Sequence, residues 1–434
     1  MRNIFHTSGN TSCQSSHRKV LFLLLSLLCA GSFGNLQAQI EDTLFKTDMF
    51  IDPEQEKELR LDIDNLSFFK NNEFKVGTIA GYTLPGLWIQ PKFVYFPLKD
   101  IKLELGLHLL YYWGAQKYPN TNYLSIPNLG KDDSQSNVHL LPFFRAQFAL
   151  NKYLDIVLGN IYGGSNHNLT EALYNPEYNL TADPEAGLQI LEHSRYIDVD
   201  AWINWQNFIF KQEDKQETFM AGLAATIKFN KPESKFHVKM PLQMIFQHQG
   251  GEIDNSKNSV QTYKNVAAGI GVTYNLNRDF LKQLKLDAIA AYYFQEDNDS
   301  LPLNNGYGID LRLTAEMKNC NAHLGFWKGN DYIPITGNLL YSSISATASN
   351  KTYTNPTMLY GGISYCRSFS KAYSIGIDFN VYHRLSCTSH ETITDREGTI
   401  NIISVREKAA NSWTAGIYFR IHPSFLLKDF KNKR

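Results

Sequence analysis

Between about Val76 and Ile421 the chain is a succession of strand-length segments in which apolar and polar residues alternate. Residues 307–316 show it most cleanly: Tyr307, Ile309, Leu311, Leu313 and Ala315 alternate with Gly308, Asp310, Arg312, Thr314 and Glu316. A period of two gives a β-strand one apolar and one polar face. Very short and very long connections take turns in joining these segments. A soluble sandwich has no reason for that regularity. A membrane barrel has one, because its periplasmic turns are short and its outer loops long. The expected fold class is all-β: a transmembrane, antiparallel, up-and-down β-barrel.

Sixteen segments fit, at approximately 74–84, 87–96, 101–113, 138–150, 154–162, 185–193, 196–210, 218–229, 235–247, 261–275, 284–294, 306–317, 320–328, 357–368, 372–385 and 411–421. Short connections such as 97–100 (PLKD), 151–153 (NKY) and 231–234 (KPES) interleave with long ones such as 114–137, 163–184 and 386–410. Two members of the long set, Pro85-Gly86 and residues 211–217, are short exceptions. The even count, with both ends on the short-turn side, is what a single-chain bacterial barrel requires.

The one long apolar run, residues 20–30 (VLFLLLSLLCA), follows His17-Arg18-Lys19 and is too short to span a bilayer. It reads as an export signal cut after Ala38. Leu27 and Leu28 stand where a lipoprotein would need small residues before Cys29. The chain thus divides into a signal peptide (1–38), a periplasmic N-terminal segment (39–72), the barrel (73–425) and a basic C-terminal tail (426–434). That tail displaces the terminal aromatic that outer-membrane barrels use as an assembly signal. The mature chain keeps Cys320, Cys366 and Cys387, an odd number without metal-site spacing. The register brings Cys320 near Cys366; both are expected as small wall residues, with a disulfide between them as the lesser alternative.

Face assignment follows from cost. A charge at the bilayer midplane is unfavourable by about 2–4 kcal/mol, so charged rows turn inward. Lys102, Glu104, Asp198, Asp200, Asp310, Arg312, Glu316 and Arg420 are the expected lumen lining, and they make the interior hydrated and of mixed sign. Aromatics are plentiful, with 24 Tyr and 27 Phe, and gather near strand ends: Tyr111-Tyr112-Trp113, Trp205 with Phe208, Tyr292-Tyr293-Phe294, Phe326-Trp327, and Phe93 with Tyr95. This suits two interfacial girdles.

No motif for catalysis, phosphate binding or a metal survives inspection, and no cofactor is implied. Lys and Arg total 42 and Asp and Glu total 42, which argues against a nucleic-acid partner. By parity, several polar-aromatic stretches meet at the outer rim: Asn160, Asn166 and His167 of GNIYGGSNH, Trp202 and Trp205 of WINWQN, His248 and Gln249 of QHQGG, Lys328 and Asn330 of WKGN. Amides beside aromatic faces suit a glycan. Rim-turning glycines and girdle aromatics account for the same residues. His167, Glu171 and Asp200 also read as an acid–base or metal cluster, the weakest of the alternatives.

Residues 65–73 (NLSFFKNNE), Gly81-Tyr82-Thr83-Leu84, the GN…NH stretch at 159–167, Glu171 and Tyr174 of EALYNPE, DAWINW at 200–205, HQGG at 248–251 and FWKGN at 326–330 resemble exported, porin-like outer-membrane barrels of Bacteroidota, a family without an established substrate. The resemblance implies location and fold and transfers no functional residue. The expected function is a non-enzymatic, porin-like channel for small hydrophilic solutes. The alternatives are a plugged binding or assembly barrel, with residues 39–72 as the plug, and an outer-membrane hydrolase. Expected partners are outer-membrane lipid, the permeating solutes, the assembly machinery during insertion, and further copies of the chain as a homo-oligomer.

Overall fold

The computed structural model describes residues 40–431 apart from 114–137, 212–215, 252–255, 257–258, 279, 297–300, 349 and 395–399. The expected signal peptide lies outside the described residues. The first eight wall strands are β1 (Glu58–Glu73), β2 (Tyr82–Leu98), β3 (Ile101–Tyr112), β4 (His139–Ala149), β5 (Leu154–Asn160), β6 (Ala186–His193), β7 (Ile197–Asn207) and β8 (Thr218–Lys228). The wall continues with β9 (Phe236–Gln249), β10 (Gln261–Asn275), β11 (Leu281–Glu296), β12 (Asn305–Met317) and β13 (Cys320–Asn330). A short β14 (Lys351–Thr354) precedes β15 (Thr357–Ser370) and β16 (Tyr373–Arg384). After β17 (Cys387–Thr394) and β18 (Ile400–Glu407) come the last full wall strand, β19 (Ala410–Ile421), and β20 (Ser424–Asp429).

Every wall strand pairs antiparallel with its neighbours, and β1 pairs with β19, from Asn65 opposite Ile421 to Glu73 opposite Trp413. Sixteen full strands therefore close the barrel, β20 prolongs β19 along the lower end of β1, and β14, β17 and β18 form a separate small sheet. The outer face is apolar, with Leu105, Leu140, Phe144, Ile270, Leu286, Leu324 and Ile363 among the exposed large side chains. Such a face is stable against lipid only, and this is an outer-membrane barrel of porin-like build. Aromatics ring both ends, but Tyr112, Tyr293 and Trp327 point inward and are buried.

The first two expected strands need correcting. Pro85-Gly86 is no turn; it lies inside β2, where Phe68 pairs with Gly86 and Phe69 with Pro85. The true first strand, β1, takes up residues 58–72 of the expected periplasmic lead-in and ends at Glu73. Its alternation inverts halfway. Asp62 and Asp64 share the lumen face with Leu66 and Phe68. On the outward face Ser67 Oγ donates to Asn65 Oδ1 at 3.2 Å, and Asn65 Nδ2 donates to the Trp88 carbonyl at 2.7 Å. Apolar residues face inward here because the lumen beside them is filled. Residues 426–429 of the supposed tail are wall as well, as part of β20, and Phe430 ends against the Tyr95 ring at 6.0 Å.

Three segments fill the lumen. Residues 40–50 enter it, burying Ile40 and Leu44 against Leu66, Phe68, Leu110, Leu180 and Tyr418. Gly376 makes the room, since a Cβ there would meet Leu44 at 2.3 Å. Only this part of 39–72 acts as the expected plug. The loops between β5 and β6 and between β13 and β15 fold inward and bind each other: Tyr332 Oη donates to the Ala172 carbonyl at 2.8 Å, and Thr336 Oγ1 to that of Leu173 at 2.7 Å. Asn265 on β10 ties the second loop to the wall, donating to the Ile333 carbonyl and accepting from the Ile335 amide. Around them Leu173, Ile245, Tyr293, Trp327, Tyr341 and Met358 build an apolar core in the outer half of the lumen. The interior is thus not hydrated throughout. Each such side chain contributes about 1.5–3 kcal/mol on burial, so this closure is a folded core and no loose lid.

Candidate functional site

The expected lumen residues all face inward, yet they form separate ion clusters and no continuous charged lining. Glu104 holds Arg145 at 2.8 Å, Lys92 at 3.0 Å and Lys102 at 3.6 Å. Arg420 grips Asp64 at 2.8 Å and also donates to the Lys46 carbonyl, tying the N-terminal segment to the wall. Asp198 pairs with Lys228 at 2.8 Å, Glu316 with Lys285, and Arg312 with Glu171 at 3.0 Å. Asp310 accepts from Tyr360 Oη at 2.7 Å.

The expected rim residues do not meet. Asn166, His167 and Trp202 are buried inside the lumen. Trp205 lies on the outward face against Phe219, ring centroids 5.2 Å apart. His248 belongs to that cluster too and bonds Thr262 Oγ1 at 3.0 Å. Lys328 is exposed, and Asn330 Nδ2 donates to Asn355 Oδ1 at 2.8 Å. Asn160 Oδ1 accepts from the Phe144 amide at 2.8 Å, and Gln249 sits opposite Gln261 in the sheet. Strand parity places a residue by height but does not say which face it takes, so one height held both faces.

His167 is built into the barrel. It sits on the β5–β6 loop just before Asn168, whose left-handed backbone (φ 54°) turns the chain inward. Its Nδ1 bonds Asp200 at 2.7 Å and its Nε2 bonds Glu185 at 3.2 Å. The ring stacks on Trp202 at 3.6 Å, and Gly222 across the sheet leaves the indole room. Glu171, the other expected member of this cluster, goes to Arg312 instead. Burial disfavours the imidazolium, but the Glu185 and Asp200 carboxylates outweigh it and raise the pKa to about 9. A charged histidine with both nitrogens bonded is no base.

A second histidine–carboxylate pair, which the sequence did not single out, sits nearer the outer end. His139 opens β4 on its lumen face, and its Nε2 meets Asp183 Oδ1 at 2.7 Å. Both side chains keep about a fifth of their surface open, 23% and 19%. Opposite His139 on β3 lies Leu110, and one inward step below it His108, buried to 3%. Gln90 Nε2 lies 2.9 Å from His108 Nδ1; with the amide as donor, the ring proton is on Nε2, which has no partner among the described residues. An orphaned, buried N–H beside a half-open His–Asp pair is the arrangement that ester hydrolysis uses: a base for water and a donor for the oxyanion.

Residues 51–430 match the model of the lipid A 3'-O-deacylase type. The chain belongs to that family. Its membership overturns the expectation of a non-enzymatic barrel: sequence inspection could exclude only linear motifs, and a site assembled from distant segments leaves none. No curated protein sequence matches this chain. Among solved structures it is similar to OccAB2 of Acinetobacter baumannii (TM-score 0.46, 10% identity, covering 85% of this chain and 99% of that one). It is also similar to OprD of Pseudomonas aeruginosa (TM-score 0.43, 10% identity, 88% and 99%) and to the loop-deleted OmpT of Vibrio cholerae (TM-score 0.45, 10% identity, 84% and 100%). At this similarity nothing of their residues or cargo transfers to the deacylase-type chain.

Proposed function

We propose that this chain, exported by its N-terminal signal, is an outer-membrane esterase that removes an acyl chain from a glycolipid at the outer rim. The observation that carries the reading is the half-open His139–Asp183 contact at the outer end of the wall of a deacylase-type barrel. Asp183 fixes the His139 tautomer by accepting from Nε2–H, which leaves Nδ1 as the base. Water gives its proton to Nδ1 while its oxygen attacks the ester carbonyl. The His108 Nε2–H donates to the oxyanion. The acyl–oxygen bond then breaks, and the leaving alkoxide takes the proton back from His139, giving a free fatty acid and an alcohol. The outward residue beside His139, Leu140, is apolar and exposed, so an acyl chain can lie against it.

Mass spectrometry of lipid A from a host expressing the protein tests the reading. A species lighter by one acyl chain is expected, lost with His139→Asn. Unchanged lipid A with the folded barrel in the membrane overturns it.

A passive channel is the second reading, favoured by the charged cavity on the periplasmic side described below. Conduction requires the inserted segments to move aside. Planar-bilayer recording decides it: a folded barrel without single-channel steps removes the channel.

A further inference from the structure

Below the apolar core the lumen keeps a cavity of about 490 Å³. It follows the wall from β6 to β12 and reaches the short-turn end, where Lys228 and Pro232 line it. The space has a cause in the sequence. On β10 the positions 267, 269 and 271 share a face and are Ala, Gly and Gly, so over this stretch the strand adds almost no side chain to the lumen. The volume lies in the range of small-ligand sites.

Two charges in it are arranged unlike the other buried charges of the lumen. Glu104, Asp64 and Asp200 are each held by cations or histidine at 2.7–3.0 Å. Asp310, only 5% exposed, makes no ion pair among the described residues: it accepts from Tyr360 Oη and lines the cavity. Lys239, across the cavity on β9, is only loosely met by Asp287 at 3.7 Å, over Gly271. A buried carboxylate without a cation and a lysine without a firm partner leave one demand of each sign. They lie three strands apart, roughly 14 Å along the wall at the usual interstrand spacing. A lysine side chain closes part of that gap, and what remains suits a ligand longer than a single α-amino acid.

We propose that the cavity is a binding site, entered from the periplasm, for a short zwitterionic peptide of about dipeptide size. Asp310 takes its ammonium group and Lys239 its carboxylate. The site is separate from the outer-rim histidines and does not depend on the esterase reading.

The test uses the refolded full chain in detergent and calorimetric titration with L-alanyl-L-alanine. Saturable binding is expected, weakened about tenfold or more by N-acetylation, by C-terminal amidation, and by Asp310→Asn or Lys239→Gln. Alanine itself should bind more weakly than the dipeptide. No saturable heat, or blocked peptides binding as well as the free one, overturns the proposal. The blocked-peptide arms use the unaltered protein, so a variant that fails to refold does not remove the test.

Discussion

Two of the barrel's histidine–carboxylate arrangements differ in what each nitrogen does. His167 has both nitrogens bonded to acids, a tryptophan on its face and 1% of its side chain exposed. His139 has one nitrogen on Asp183 and the other without a partner among the described residues, and it stays partly open. Two acids on one imidazole make an ion triad that fastens a loop to the wall. One acid makes an oriented base. Residue type is the same in both, so chemistry here is decided by how many partners the histidine has.

The largest break in this comparison comes from Asp183→Asn. An amide can hold the ring but not select its tautomer or stabilise the imidazolium, so deacylation should fall by about 10²–10⁴-fold with the barrel still folded. Lipid A mass spectrometry reads the loss, and heat-modifiable migration on gels reads the fold. His139→Asn should lose as much, and the double variant little more, because the two act as one unit.

His167→Leu should do the opposite. It leaves Asp200 and Glu185 buried without their cation, a cost of about 3–5 kcal/mol. The denaturant midpoint should drop while deacylation per folded molecule is kept. A His167 variant that folds normally and loses activity would exchange the roles of the two histidines.

The wall was legible in the sequence because lipid imposes one rule along every strand: polar residues cannot face it. Leu103, Leu105 and Leu107 against Lys102, Glu104 and His108 obey that rule, and so does β12. The rule fails on β1, where Leu66 and Phe68 face a filled lumen and Asn65 and Ser67 satisfy each other outside. What fills the lumen depends on how residues 161–185 and 331–350 pack against each other, and no local pattern in either carries that. The outer-rim pair was hidden for a related reason. His139 and Asp183 are 44 positions apart, and Asp183 sits on a loop whose path strand parity does not set. One signal was available. His108 and His139 fall at inward positions of neighbouring strands, and two inward histidines near one rim could have been read from the register alone.

The smallest expected effect is optical and follows from the raised pKa of His167. A histidine held charged in the folded state contributes stability that is complete below its unfolded pKa of about 6.5. That contribution declines as pH rises and is lost once pH passes about 9, the folded value. Raising pH from 7 to 10 should therefore lower the unfolding midpoint, where a depressed carboxylate pKa alone would leave it flat. The same step has a local reporter. Trp202 lies 3.6 Å from the ring, and an imidazolium at that distance quenches indole emission. Fluorescence should rise with a midpoint near pH 9, and the rise should vanish in both Trp202→Phe and His167→Leu. A midpoint near 6.5 would mean that Glu185 and Asp200 do not hold the proton, and His167 would then regain the standing of a possible base beside His139.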